Sequence, residues 1–155
     1  MDARGFTLLE LITVIAIVAI IAVTVLPQWT ATSLTLEFQA RRMLDDIRYA
    51  QALSMTSGQR YRFVATSSTS YQITNEAGVA ILFPTGSSQV TLTDGASFST
   101  NLPNSLLAFD SLGIPYVNTT YPGTALASTA LFSVTTGGVT RAIQVMPQTG
   151  FGALS

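Results

Sequence analysis

The sequence predicts an α+β protein in which a long N-terminal helix packs on an antiparallel β-sheet domain. Three observations predict this class. An apolar block extends from Phe6 to Pro27. A helical pattern with one apolar face then continues as far as Gly58, and the rest of the chain is rich in short β-favouring runs separated by turns. The expected boundaries are a short leading segment at 1–5, an apolar helix at 6–27, an amphipathic helix half at 28–58 and a β-rich globular domain at 59–155.

The composition restricts the chemistry open to this chain. Its 155 residues include no histidine, no cysteine and no lysine, and the formal net charge is −1. Histidine is the commonest acid–base group and metal ligand, while cysteine supplies disulfides and thiolate sites. Without a strong basic field, there is no general electrostatic attraction to nucleic acid. A charged content of only 10%, with abundant serine, threonine and glycine, is typical of a strand-and-turn protein.

The apolar block has the length of a membrane-spanning helix. Between residues 6 and 26, the one ionisable side chain is Glu10. At ~1.5 Å per residue, this stretch gives a helix of roughly 32 Å, which matches a bilayer core. A carboxylate in such a segment costs on the order of a few kcal/mol. We therefore expect Glu10 to have a function.

Two other interpretations of the apolar block are possible, but each explains only some of its features. A secretory signal peptide has a shorter apolar core, followed by a cleavage site of small residues, and the sequence has neither feature. A plain signal anchor accounts for the length of the block. However, it gives no reason for Glu10, or for the glycine directly before Phe6.

The segment GFTLLELITVIAIVAIIAVTVLP resembles the N-terminus of type IV prepilins and type II secretion pseudopilins. Gly5, Phe6 and Thr7 match the motif of that superfamily position by position, and so does Glu10. The resemblance implies that a prepilin peptidase removes residues 1–5 by cutting after Gly5. It also implies that the new N-terminus, Phe6, becomes N-methylated.

Glu10 and Pro27 are the residues to which the resemblance gives a role in assembly. In a filament, Glu10 would neutralise the N-terminal amine of a neighbouring subunit, and this attraction can offset the cost of burying both charges. Pro27 lies where the superfamily commonly has a helix-disrupting proline. It predicts a kink or loosened turn at 23–26, although it could also simply mark the exit from the membrane.

The second helical pattern has one apolar face and one charged face. The charged side includes the possible i,i+4 pairs Arg41–Asp45 and Arg42–Asp46. Such a helix needs a partner surface, which the β-rich remainder of the chain can supply. The apolar face consists of Leu36, Ala40, Leu44, Ile47 and Ala50.

The β-favouring runs predict an antiparallel sheet in two parts. Gly137 and Gly138 lie between two such runs and predict a hairpin. We expect loops between 97 and 104 and between 117 and 128. The predicted strands are 61–65, 71–74, 79–83, 89–92, 106–109, 131–136 and 140–145.

A second resemblance concerns the chain beyond the apolar block. The stretch RYAQAL at 48–53, followed by 59–64, is similar to minor pilins of the GspH/FimT-like group. The F-x-x-x-G element of that group is matched by Phe109 and Gly113, and its closing Thr-Gly pair by Thr149 and Gly150. The region around 48–52 also resembles minor pilins of the mannose-sensitive haemagglutinin (MSHA) pilus.

The sequence predicts neither an enzyme nor a cofactor or metal site. Glu76, Asp94 and Asp110 are scattered, and nothing local brings two carboxylates together. DNA binding is the alternative of a different class, because some FimT-like minor pilins bind DNA. Those members have arginines after the closing Thr-Gly pair, whereas residues 151–155 here carry no positive charge. An ordinary membrane-anchored enzyme or binding domain is the other alternative.

The resemblance to prepilins and pseudopilins implies a structural subunit of a type IV pilus or type II secretion pseudopilus. The resemblance implies insertion as a single-pass protein of the bacterial inner membrane, with a periplasmic β-domain, followed by entry into the filament. It favours a minor pilin that acts in filament initiation or at the tip. The expected partners are other pilins or pseudopilins, the prepilin peptidase, the inner-membrane assembly platform and membrane lipid, with no cofactor.

Overall fold

The computed structural model describes residues 7–118 and 123–155, with the backbone alone for 23–32. The chain divides into two compact units, Met1–Leu34 and Thr35–Ser155. One helix, α1, extends over Leu8–Ser57 and includes Pro27. The kink predicted near that proline falls on residues whose side chains are outside the described set, and it stays a prediction.

The predicted end of the helix at Gly58 agrees with the structure. Gly58 has a φ of 68°, and its N–H donates to the carbonyl of Ser54 at 3.1 Å. A residue without a Cβ adopts this left-handed conformation without steric cost, which makes glycine the usual residue just beyond a helix C-terminus.

Beyond the helix, the described residues of the second unit form two antiparallel sheets, as predicted. The first has five strands in the order β3-β2-β1-β5-β6, and the second has four in the order β4-β7-β8-β9. The strands of the first sheet are β1 (Tyr61–Ala65), β2 (Ser70–Thr74), β3 (Val90–Thr91), β5 (Leu106–Phe109) and β6 (Pro115–Tyr116). Those of the second sheet are β4 (Ser97–Thr100), β7 (Ala130–Thr136), β8 (Val139–Val145) and β9 (Gly152–Leu154).

The core of the second unit lies between the helix and the two sheets. On the sheet side, the ring of Phe63 lies 4.7 Å from that of Tyr71 and 5.3 Å from that of Phe132, measured between centroids. Burial of each such side chain contributes about 1.5–3 kcal/mol. The helix contributes the whole predicted apolar face and one further residue: Leu36, Ala40, Met43, Leu44, Ile47 and Ala50.

The hairpin predicted at Gly137 and Gly138 is confirmed. Strands β7 and β8 are antiparallel, and the register pairs Thr136 with Val139 across the two glycines. Both glycines have positive φ, 56° and 79°. A two-residue turn of this kind matches the natural twist of the strands it connects.

Two predictions about the sheet are wrong. The run 79–83 forms only an isolated bridge, between Thr74 and Ala80, with the N–H of Ile81 bonded to the carbonyl of Ile73. A tight turn follows directly, in which the N–H of Gly86 bonds to the carbonyl of Phe83. The loop predicted between 97 and 104 contains β4, in which Phe98 alone is buried. The short strands β6 and β9 were not predicted.

Candidate functional site

The predicted cleavage and methylation site, Gly5 and Phe6, lies outside the described residues. The helix begins directly after it, at Leu8, with Thr7 in the capping position. The N–H of Glu10 donates to the side-chain oxygen of Thr7 at 3.3 Å and to its carbonyl at 3.1 Å. The pattern Thr-x-x-Glu is a signature of a helix start, and a glutamate in the first turn is favoured by the helix dipole.

Glu10 is an exposed carboxylate among exposed apolar side chains. Its neighbours Leu8 and Leu9 are 76% and 77% exposed. None of the ion pairs in the described part of the chain includes Glu10.

Large apolar side chains on this part of the helix are exposed. Within the part of the chain whose side chains are described, no helix is both long enough and apolar enough to cross a membrane. The exposed apolar residues are Leu8, Leu9, Leu11, Ile12, Val14, Ile15, Ile17, Val18, Ile20 and Ile21.

Gln51 joins three elements that are far apart in the sequence. Its side-chain nitrogen donates to the carbonyl of Gly113 and to that of Thr149, both at 2.9 Å. The helix stretch RYAQAL, the F-x-x-x-G element and the closing Thr-Gly pair thus meet at one amide. The sequence indicated these elements only through a resemblance, and it did not predict that they meet.

The two glycines beside Gln51 are required by close packing. Gly150 has a φ of 65°, and a Cβ there would lie 2.5 Å from the carbonyl oxygen of Gly113. A Cβ on Gly113, whose φ is 79°, would lie 3.0 Å from the sulfur of Met55. Since backbone cannot move aside as a flexible side chain can, Gly150 is the stricter of the two positions.

A second connection fastens the C-terminal strand to the helix. The guanidinium of Arg48 donates to the carbonyl of Gly152 at 2.9 Å and lies 3.6 Å from a carboxylate oxygen of Asp45. A Cβ on Gly152 would approach the Leu44 side chain to 2.7 Å. These contacts place β9 directly against the helix.

Asp46 and Tyr71 form a largely buried hydrogen-bonded pair. The Tyr71 hydroxyl donates to the carboxylate of Asp46 at 2.7 Å. Burial raises the pKa of the Asp46 carboxyl, and the hydrogen bond from Tyr71 opposes this shift. Burial also raises the pKa of the Tyr71 hydroxyl, and the adjacent carboxylate adds to this shift because it disfavours a second negative charge.

The predicted ion pairs Arg41–Asp45 and Arg42–Asp46 are not the pairs that form. Arg41 instead bonds to Glu37 at 2.7 Å. Asp45 pairs with an arginine one turn further along, and the carboxylate of Asp46 is engaged by a tyrosine. The two exposed ion pairs, Arg41–Glu37 and Arg48–Asp45, contribute at most about 1 kcal/mol each.

Other arginines are engaged by the protein itself. Arg60 and Arg62 are only 5% and 7% exposed. Arg60 lies over the ring of Tyr116, 4.6 Å from its centroid, and Arg62 donates to the carbonyl of Glu76 at 2.8 Å. These two guanidinium groups are not presented as a surface for phosphate.

Two carboxylates beyond the helix, those of Asp110 and Asp94, belong to turns. Asp110 accepts bonds from the N–H groups of Leu112 and Ile114 and from the Tyr116 hydroxyl. Asp94 has a φ of 56°, a turn conformation that aspartate tolerates. Among the described residues, no group of three or more acidic, histidine or cysteine side chains could hold a metal ion.

Comparison with known proteins gives one family match and several structural matches. Residues 1–26 match the prokaryotic N-terminal methylation motif. No curated protein sequence matches the chain. The chain is similar in structure to the minor pseudopilin EpsH from the type 2 secretion system of Vibrio cholerae, with 14% identity and a TM-score of 0.58, over 77% of this chain and 95% of that one.

The second structural match is to a pilus protein. The chain is similar to the type IV minor pilin FimU of Pseudomonas aeruginosa, with 15% identity and a TM-score of 0.56, over 77% of this chain and 87% of that one. The resemblance to MSHA pilins stays a prediction. The remaining findings agree with the resemblance read from the sequence: residues 1–26 match the prokaryotic N-terminal methylation motif, and the chain has a fold similar to those of a minor pseudopilin and a minor pilin.

Proposed function

We propose that this chain is a minor pilin or pseudopilin, a non-enzymatic structural subunit of a type IV pilus or type II secretion pseudopilus. The observation that carries the proposal is the combination of a methylation motif at 1–26 with the minor-pilin fold in one chain. Neither feature is sufficient alone, since an apolar N-terminus is common and a fold does not fix a function.

The processing step follows from the N-terminal residues. A prepilin peptidase cuts between Gly5 and Phe6, and the amine of Phe6 is then methylated. The scissile bond precedes the helix, which begins at Leu8. A glycine before the bond places no side chain in the way of a protease. Residues 1–5 are the leader that is removed.

Membrane anchoring is the next step of the proposal. Residues 6–27 hold the subunit in the inner membrane as a single-pass helix, in contact with lipid and with the assembly platform, while the globular unit lies in the periplasm. The support is the row of exposed apolar side chains on the described part of this helix. Such a surface is stable in hydrocarbon and costly in water. Pro27 gives the helix a point at which it can loosen during extraction.

Glu10 then directs assembly. It pairs with the methylated amine at the N-terminus of a neighbouring subunit, whereas none of the ion pairs within the described residues includes Glu10. At 4 Å and an effective dielectric constant of about 20, such a pair gains about 4 kcal/mol. The subunit takes part in initiation or at the tip, with its β-domain directed outward.

The test is incorporation into purified filaments, measured by quantitative mass spectrometry of the subunit. We expect Glu10→Ala and the isosteric Glu10→Gln to insert and to be processed normally, yet to be depleted from filaments by roughly tenfold or more. Thr13→Ala, one turn further along, serves as the control. If Glu10→Gln enters filaments as well as the wild type does, then charge pairing is not the role of Glu10.

DNA binding stays the alternative of a different class. Arginines would be the residues to contact DNA phosphates, and Arg60 and Arg62 are unsuited to this because they are buried. Because no observation favours that function over assembly, we propose the structural role alone.

A further inference from the structure

Strand β4 leaves one edge open in the second sheet, because it pairs with β7 on one side only. The N–H of Phe98 donates to the carbonyl of Ser68 at 2.7 Å, so the backbone groups of Phe98 face away from β7. Backbone groups alternate between the two sides of a strand, and those of Thr100 therefore face away as well. The bond from the N–H of Asn101 to the carbonyl of Leu131 agrees with this alternation.

Beyond its bond to Ser68, this edge is unpaired. Within the described part of the chain, no backbone or side-chain group bonds to the carbonyl of Phe98, or to the N–H and carbonyl of Thr100. The opposite edge of this sheet, formed by β9, is not open in the same way, because its Gly152 carbonyl accepts a hydrogen bond from Arg48. Unpaired backbone groups in a row can serve as a template for another strand.

The open edge is one wall of a groove of about 410 Å³. The opposite wall is the end of β1 and the turn that follows it. None of the lining residues is charged, and Phe98, the largest, is almost fully buried. The lining consists of Ala65, Thr66, Ser67, Ser68, Phe98, Ser99, Thr100 and Ser105.

We propose that an extended, uncharged segment of a neighbouring filament subunit adds to the β4 edge as a further strand. This rests on the proposed function as a filament subunit. The open N–H and carbonyl groups require a partner with free backbone groups, which an extended strand has and a helix lacks. The small hydroxyl side chains leave room for backbone to approach, and an unpaired charge buried in the groove would be unfavourable.

Amide hydrogen exchange tests the contact directly. The full chain in detergent is compared with wild-type filaments, and exchange is followed at the amides of Ser99 and Thr100. We expect the Thr100 amide to exchange at least ~10-fold more slowly in filaments, because it gains a hydrogen bond. The Ser99 amide faces β7 in both states, so its exchange should change much less.

Incorporation of variants tests the same groove independently. Ser99 is exposed, and Ser99→Arg places a charge in the groove; Thr140→Arg, on an exposed position of β8, is the control. We expect the first variant to fold and yet enter filaments several-fold less than the control does. The strand contact would be overturned, and the proposed function left intact, by two results together. The Thr100 amide would exchange at the same rate in wild-type filaments as in detergent, and the two variants would enter filaments equally. Absence of the wild type from filaments would instead overturn the proposed function, and the contact with it.

Discussion

The hydrogen bonds of Gln51 give a sharp prediction about the stability of the globular unit. Gln51→Ala removes two bonds, to the carbonyls of Gly113 and Thr149. At about 0.5–1.5 kcal/mol for each bond, the free energy of unfolding should fall by about 1–3 kcal/mol. The higher helix propensity of alanine offsets only a few tenths of a kcal/mol of this loss.

An isosteric variant separates these hydrogen bonds from simple packing. Gln51→Glu keeps the size of the side chain, but at neutral pH it places a carboxylate against two carbonyl oxygens. We therefore expect it to destabilise the fold at least as much as Gln51→Ala does. It should recover part of the loss at low pH, where a protonated carboxyl can donate one bond. Gln59→Ala, at an exposed position just beyond the helix, is the control.

The assay is urea unfolding of the full chain in detergent, followed by far-ultraviolet circular dichroism. With an m-value of about 1–3 kcal/mol/M, the midpoint for Gln51→Ala should fall by roughly 1 M. A midpoint equal to that of Gln59→Ala would refute the reasoning. A Gln51→Glu protein as stable as the wild type at neutral pH would refute it as well.

Two further predictions concern buried sites. Because burial raises the pKa of Asp46 above its unfolded value, its protonated form favours folding, and this contribution is lost as pH rises through the folded pKa. Asp46→Asn, which can still accept the bond from Tyr71, should therefore gain stability relative to the wild type as pH rises from about 4 to 7; equal pH dependence of the two unfolding midpoints would contradict this. Gly150→Ala and Gly86→Ala both place alanine at positive φ, but only Gly150 has backbone where the Cβ would lie. In thermal unfolding, the free energy of unfolding should thus fall by about 1 kcal/mol for Gly86→Ala and by clearly more for Gly150→Ala. Equal decreases would show that the nearby backbone does not add to the cost at Gly150.

The strong periodic signals in the sequence are sufficient to predict the helix and most of the sheet. The apolar face from Leu36 to Ala50 and the hairpin at Gly137 follow from local spacing, which the structure keeps. Strand β4 cannot be predicted in the same way, because Phe98 is its one buried side chain and its pairing with β7 is set by tertiary contacts.

The candidate sites show the same difference between local sequence signals and contacts between distant parts of the chain. Glu10 is identifiable because one carboxylate in an apolar block is costly, and the motif then supplies a role. The capping pattern from Thr7 to Glu10 is also a local signal, although it was not among the predictions. By contrast, the meeting of Gln51 with Gly113 and Thr149 depends on contacts between distant parts of the chain, which spacing does not reveal.

The mature N-terminus tests the central claim most directly. Mass spectrometry of the membrane-associated protein should find a chain that begins at Phe6 and carries a methyl group on its amine. Replacement of the residue before the cut, in Gly5→Val, should leave the leader in place and serve as the control. An intact Met1 on the wild-type protein, with no methylated Phe6, would contradict its assignment as a processed pilin subunit.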